Sequence, residues 1–223
     1  MKYINVVEGS FSILTAGSDY DQLITAGYSS CMIHVIYLEK GIALFHDNSG
    51  AHVNHVQVTV KELPDYFGLL KKVVIVNRSE RNNGADGRKW IKMNHERALE
   101  IYDDLPVDIE FVETDDDFLA VSKVGEIVND NEELGISTEH LEGTELDCIR
   151  YMINKVNYLV SKYVRMDLQF DGRLYHKPQE FLTNRREVER VINTDRGCQM
   201  LEFPALFTRV INSPETETLF KFN

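Results

Sequence analysis

The sequence predicts an α+β fold, and three observations carry that expectation. Segments rich in β-branched and aromatic side chains crowd residues 3–77, two stripes at helical spacing stand out near 90–102 and 145–165, and no internal repeat links them. The 223 residues are 43% hydrophobic and 10% aromatic, enough for one sizeable core. One domain over residues 1–200 is therefore expected, with residues 201–223 packed on it as a C-terminal extension.

Strands at 3–7 and 10–15 open the chain and lead into a hairpin. Residues 31–37 read Cys-Met-Ile-His-Val-Ile-Tyr, residues 42–47 read Ile-Ala-Leu-Phe-His-Asp, and Leu38-Glu39-Lys40-Gly41 separates them. A four-residue loop with Gly41 at positive φ pairs Tyr37 with Ile42, and hence Ile33 with His46. Cys31 then stands one diagonal step from His46 on the same face, with Cβ atoms roughly 7 to 8 Å apart. A slip of one residue would send His46 to the opposite face. Both strands are apolar on both faces, so the hairpin belongs in the middle of a sheet, covered on each side.

Further along, 55–60 alternates as a short strand, 64–72 suggests a short helix starting at Pro64, and 73–77 suggests a buried strand. Residues 78–87 form a polar loop. Trp90, Met93, Ala98 and Ile101 mark a helix over 90–102, followed by Pro106 and strands at 107–112 and 118–128. Residues 130–133 are an acidic loop. The clearest helix runs over 145–165, with Thr144 as N-cap and Ile149, Met152, Val156, Leu159 and Tyr163 as its stripe. Residues 166–176 form a hairpin around Asp171-Gly172, 179–193 a helix, and the chain from 201 onward is extended.

Composition narrows the function. The net charge of −12 disfavours nucleic acid and anionic membrane surfaces as partners. There is no signal-peptide pattern and no apolar run of membrane-spanning length. Three cysteines at 31, 148 and 198 argue against a disulfide framework and for a reducing compartment.

Chemistry gathers at Cys31. Thr25 lies six positions before it and His46 fifteen after it. An imidazole within hydrogen-bond reach favours the thiolate that a nucleophilic cysteine needs. The imidazole in turn needs a partner on its far nitrogen, which Thr25 supplies through its hydroxyl or backbone carbonyl. The turn Gly27-Tyr28-Ser29-Ser30 aims backbone N–H groups of Ser30 and Cys31 at an oxyanion.

The segment Thr25-Ala26-Gly27-Tyr28-Ser29-Ser30-Cys31, with its two strands ending at His46, resembles the active-site segment of the protein glutamine deamidases. That group includes the chemoreceptor deamidases, the cytotoxic necrotizing factor catalytic domains and the Burkholderia lethal factor type. The resemblance covers residues 23–50, and Ser29 and Ser30 stand where those families carry a Gly. It implies a β-sandwich of mixed sheets flanked by helices, like that of the deamidase toxins, with Cys31, His46 and Thr25 as the catalytic trio. It also implies no cofactor, a target protein carrying the modified Gln as partner, and a cytoplasmic location or delivery into a host cell as a bacterial effector or toxin.

Two other readings stand beside it. One is a non-catalytic acidic protein that binds or inhibits a basic partner; the other is a metal-dependent hydrolase whose zinc is held by His46, His52 and His55, with Cys31 as an optional fourth ligand. Against the second, His52 and His55 lack a structural-site spacing and read as surface histidines. His34 faces away from Cys31 by alternation. Glu113 and Asp115, Asp116 and Asp117 read as a solvated acidic loop, Trp90 as helix packing, Cys148 as a packing thiol and Cys198 as an incidental one.

Overall fold

A computed structural model describes residues 2–48, 53–82, 86–130, 154, 157, 161–170 and 175–181. Its elements, in order, are β1 (Tyr3–Asn5), β2 (Ser10–Leu14), β3 (Gln22–Ala26), β4 (Met32–Leu38), β5 (Ile42–Asp47), α1 (Val53–Phe67), β6 (Leu70–Arg78), α2 (Gly87–Tyr102), β7 (Asp108–Thr114), β8 (Phe118–Ser122), β9 (Ile127–Val128), β10 (Val164–Phe170) and β11 (Tyr175–Phe181). A 3-10 turn, Glu80–Asn82, lies between β6 and α2. Among the described residues this is an α+β arrangement of two mixed sheets with the helices α1 and α2. No helix among the described residues is long and apolar enough to cross a membrane.

The first sheet runs β7-β6-β4-β5-β2 and the second β1-β3-β8-β9, with β10 joining them and β11 paired to β10. Val164 and Arg165 lie parallel to Ser10 and Phe11 of β2, whereas Leu168 and Gln169 lie antiparallel to Asn5 and Ile4 of β1. One strand thus serves both sheets. Side chains from both meet in one apolar layer that includes Ile4, Leu23, Ile33, Leu44, Val76 and Leu119. The opposite face of the first sheet packs Met32, Ile36 and Phe45 against Val56, Val60 and Leu63 of α1 and Ala98 and Ile101 of α2. The hairpin strands β4 and β5 therefore have apolar cover on both sides, as their sequences require.

Register follows the hydrophobic pattern. Tyr37 pairs with Ile42 and Ile33 with His46. Gly41 achieves this differently from the expectation: its φ is not in the left-handed region, and its need is close approach, since a Cβ there would lie 2.5 Å from the Leu14 carbonyl oxygen.

Several expectations need correction. Residues 55–60 are not a strand, because they lie inside α1. Val56, Val58 and Val60 alternate, but Val56, Thr59, Val60, Leu63 and Phe67 are the buried set, at helical spacing, and Val58 is exposed. Pro64 sits in the last turn of that helix rather than at the start of a second one, and β6 begins at Leu70. The 118–128 strand is a hairpin of β8 and β9. A helix reaching residue 165 is ruled out by β10, although Asn154 and Asn157 are helical. Tyr175–Phe181 is a strand, so no helix starts at 179. The hairpin near 166–176 exists with longer arms, as β10 and β11. Its tip at 171–174, the acidic residues from 131, the stretch 182–193 and the C-terminal extension 201–223 lie outside the described residues.

The helix side of the hairpin holds a buried polar cluster centred on Asp47. Its carboxylate accepts from Arg97 Nε at 2.9 Å and Nη2 at 2.9 Å, from the Tyr163 hydroxyl at 2.7 Å and from His34 Nε2 at 3.2 Å. His34 Nδ1 lies 2.8 Å from the Tyr102 hydroxyl. A carboxylate only accepts, so His34 donates through Nε2 and receives the Tyr102 proton at Nδ1. His34 is thus a satisfied structural histidine facing α2. Burial acts to raise the Asp47 carboxyl, but the His34 and Arg97 hydrogen bonds outweigh it and hold it below the usual carboxylate value. Burial first, and the Asp47 charge second, push the Tyr102 and Tyr163 phenols well above theirs.

Asp47→Asn leaves the Arg97 guanidinium buried opposite a neutral amide and is expected to cost about 3 to 5 kcal/mol, read from denaturant midpoints at neutral pH. Because the folded carboxyl titrates below its unfolded value of about 3.9, its contribution is present above that pH and is lost as pH falls through the folded value. The wild type is accordingly expected to lose stability more steeply below about pH 4 than Asp47→Asn. Parallel acid-unfolding curves would contradict this.

Candidate active site

Strand alternation divides β5 between two tasks. Asp47 points to the helices, and His46, one residue earlier, points into the layer shared by the two sheets. Its backbone is held as well, since the Gly9 N–H donates to the His46 carbonyl at 2.9 Å. Cys31 immediately precedes β4 and belongs to the same layer, with Ile33, Val35 and Tyr28. Register therefore puts Cys31 one diagonal step from His46 on a common face, both of them buried.

Thr25 arrives from elsewhere. It lies in the middle of β3, in the second sheet, paired with Leu119 of β8. The trio thus draws on both sheets: the thiol and imidazole come from one and the hydroxyl from the other. Thr25 Oγ1 stands 2.8 Å from His46 Nδ1 and 2.7 Å from the Val6 carbonyl oxygen. Of the two offered groups, it is the hydroxyl that meets the ring.

These two distances fix the proton on the ring. The Val6 carbonyl can only accept, so the one hydrogen of the Thr25 hydroxyl points to it. The oxygen is then the acceptor toward His46, and Nδ1 must carry the N–H. Neutral His46 accordingly keeps its lone pair on Nε2, the tautomer a general base needs when its Nδ1 is held by an orienting group. Thr25 is fully buried and His46 nearly so, which shields the bond from competition with water.

Tyr28, for which sequence spacing indicates no role, adds a wall beside His46. Its ring meets that of His46 edge-on, with centroids 6.4 Å apart and planes at 89°. Its hydroxyl donates to the Phe118 carbonyl at 3.1 Å. Burial, then the charges of Asp116 and Asp117, push its phenol far up, so Tyr28 stays neutral. A tyrosine inside a Gly-Tyr-Ser-Ser turn was the available signal, since so large a ring in a short turn must pack inward.

The turn itself is held at both ends. Gly27, at φ +71°, donates its N–H to the Asp117 carbonyl at 2.8 Å. The Ser30 carbonyl accepts from Asn94 Nδ2 at 3.3 Å. Asn94, buried on α2, was not singled out by sequence because nothing in a helical stripe distinguishes it from a packing residue.

The remaining candidates fall apart in space or face solvent. His55 lies on α1, His34 on the helix side of the first sheet, and His52 outside the described residues. Among the described residues, no three His, Cys, Asp or Glu side chains form a group that could hold a metal ion. Glu113 and Asp115 to Asp117 are exposed, with Arg78 Nη1 3.9 Å from Asp117. Trp90 is half-buried on α2. Cys148 and Cys198 lie outside the described residues.

In a two-dimensional nitrogen–proton spectrum of imidazoles, His46 Nδ1 is expected to show the protonated, pyrrole-type shift and Nε2 the pyridine-type shift. Thr25→Val removes the acceptor and should abolish that preference. A protonated Nε2 in the neutral wild-type ring would contradict the assignment. No protein-family model matches the chain, and no curated protein matches it.

Proposed function

We propose that this protein is a cysteine-dependent protein glutamine deamidase with Cys31 as nucleophile, His46 as general acid and base, and Thr25 as the residue that orients His46. The observation that carries the reading is the Thr25 contact, which leaves the Nε2 lone pair of His46 on the face that Cys31 shares. Two mixed sheets with a common apolar layer, and helices against one of them, accord with the deamidase-toxin type of β-sandwich.

In the first half-reaction, His46 Nε2 takes the Cys31 proton and the thiolate attacks the Gln Cδ. The carbonyl electron pair moves to oxygen, where the Ser30 and Cys31 N–H groups hold the oxyanion. Collapse breaks the C–N bond, His46 returns the proton to the departing nitrogen, and ammonia leaves a thioester. In the second, His46 deprotonates water, the hydroxide attacks the thioester carbonyl, and the Cys31 thiol departs with the proton from His46. The product is Glu. A primary amine in place of water would transfer to the same thioester, giving transglutamination. A reaction inside another cell's cytoplasm, with the chain as a delivered effector, suits a buried cysteine that needs reducing surroundings.

The partner is a protein whose Gln approaches the Ser29–Cys31 end of the turn, beside the exposed acidic β7–β8 loop, so a basic surface around that Gln is favoured. Incubation of the protein with cell extract is expected to raise the mass of a target Gln peptide by about one dalton with release of ammonia. Cys31→Ser should abolish this, His46→Ala should reduce it by about 10²- to 10⁴-fold, and Thr25→Val by about 10- to 100-fold. Full activity in Cys31→Ser and His46→Ala would overturn the reading.

A further inference from the structure

We infer that Asn94 is a positioning residue that aims the backbone N–H of Cys31 at the oxyanion. The inference rests on the deamidase reading and deepens it by assigning a residue from α2, outside the trio, to transition-state stabilisation.

Asn94 Nδ2 carries two hydrogens and meets two acceptors, the Ser30 carbonyl at 3.3 Å and Asn77 Oδ1 at 2.7 Å. That arrangement fixes the amide: flipped, its oxygen would face the Ser30 carbonyl, acceptor against acceptor. The Ser30–Cys31 peptide is trans, as are all the described bonds, and in a trans peptide the C=O and N–H point in opposite directions. Asn77 lies on β6, and β4 runs between β6 and β5. α2 and the Asn77 side chain cover the face of the first sheet opposite the layer shared by the two sheets, so a carbonyl drawn toward them turns the Cys31 N–H toward that shared layer, into which His46 points. The thiol, the base and the oxyanion donor then address one point.

The Asn77–Asn94 pair is a poor way to build a core. Both residues are 1% exposed, yet Asn77 Nδ2 and Asn94 Oδ1 have no hydrogen-bond partner among the described residues. Buried amide atoms left in that state destabilise a fold, and two apolar side chains of similar size would remove the penalty. A pair retained at the expense of stability, with its satisfied hydrogens directed at the residue before the nucleophile, fits a positioning role better than a packing one.

Two reagents separate that role from general upkeep of the site. Butanal adds its carbonyl carbon to the Cys31 sulfur; the C=O pair moves to oxygen, which takes a proton to give a hemithioacetal, and that oxygen uses the oxyanion donor. Iodoacetamide is attacked at a saturated carbon with loss of iodide and uses none. Protection of Cys31 by butanal against iodoacetamide is measured in wild type, Asn94→Leu and Asn94→Asp, each checked for folding by thermal melting. The butanal dissociation constant is expected to rise about 10-fold or more in both variants, while the direct iodoacetamide rate stays within about twofold. Asn94→Leu, which strips Asn77 Oδ1 and the Ser30 carbonyl of their donor, should melt lower than wild type yet stay folded at the assay temperature. An unchanged butanal constant would overturn the inference and leave Cys31 as nucleophile. Equal losses with both reagents would also overturn it, because Asn94 would then only maintain the fold. Wild-type Cys31 that reacts no faster than an ordinary thiol and gains no protection from butanal would instead remove the deamidase reading itself.

Discussion

One hydrogen bond, between Thr25 Oγ1 and His46 Nδ1, decides what the centre of this molecule can do. It joins the two sheets at a buried point and determines which nitrogen of His46 bears a proton. The decision is made one step further back, at the Val6 carbonyl, which takes the only hydrogen Thr25 has to give. Val6 follows β1, and its N–H in turn donates to the Ile24 carbonyl, prolonging the β1–β3 pairing. The tautomer of a side chain in one sheet is thus set by the backbone of the other. Serine in place of Thr25 would keep the chemistry and lose the χ1 stiffness that β-branching provides; valine would keep the shape and lose the chemistry.

The hairpin that carries His46 works because two unlike environments share one strand. Odd and even residues of β5 face different layers, so the His46 imidazole and the saturated Asp47 carboxylate sit side by side in sequence without meeting. Four hydrogen bonds from Arg97, Tyr163 and His34 hold Asp47 to the helices. They tie β5 to α2 and to the segment just before β10, and they leave His46 little freedom to rotate out of the shared layer. A buried ion pair of this kind adds modestly to net stability, and its stronger effect is to make alternative registers costly. A slip of one residue would bury His46 among the helices and drive Asp47 into an apolar layer without a cation.

Much of the site could be read from the sequence, and the limits of that reading are physical. The Cys31–His46 register followed from the loop length and the pattern of apolar residues, because local pairing across a short loop leaves few alternatives. The origin of Thr25 did not. Gln22–Ala26 is a strand whose partners, β1 and β8, lie far from it in sequence, and nothing local announces pairing across such separations. The 55–60 segment misled because Val56, Val58 and Val60 satisfy a period of two while Val56, Val60 and Leu63 satisfy a helix; burial against the first sheet selects the second. Asn94 and Tyr28 escaped for a related reason. Their roles depend on a carbonyl and a ring brought near by folding, not on any spacing along the chain.

The central claim is that Thr25 acts through His46 on Cys31. The most direct measurement is the rate of Cys31 alkylation by iodoacetamide in wild type, Thr25→Val, His46→Ala and the double variant at neutral pH. If the three residues work as a chain, wild type reacts fastest, each single variant is slower, and adding Thr25→Val to His46→Ala changes nothing further. Equal rates in wild type and His46→Ala, or full additivity of the two substitutions, would contradict it.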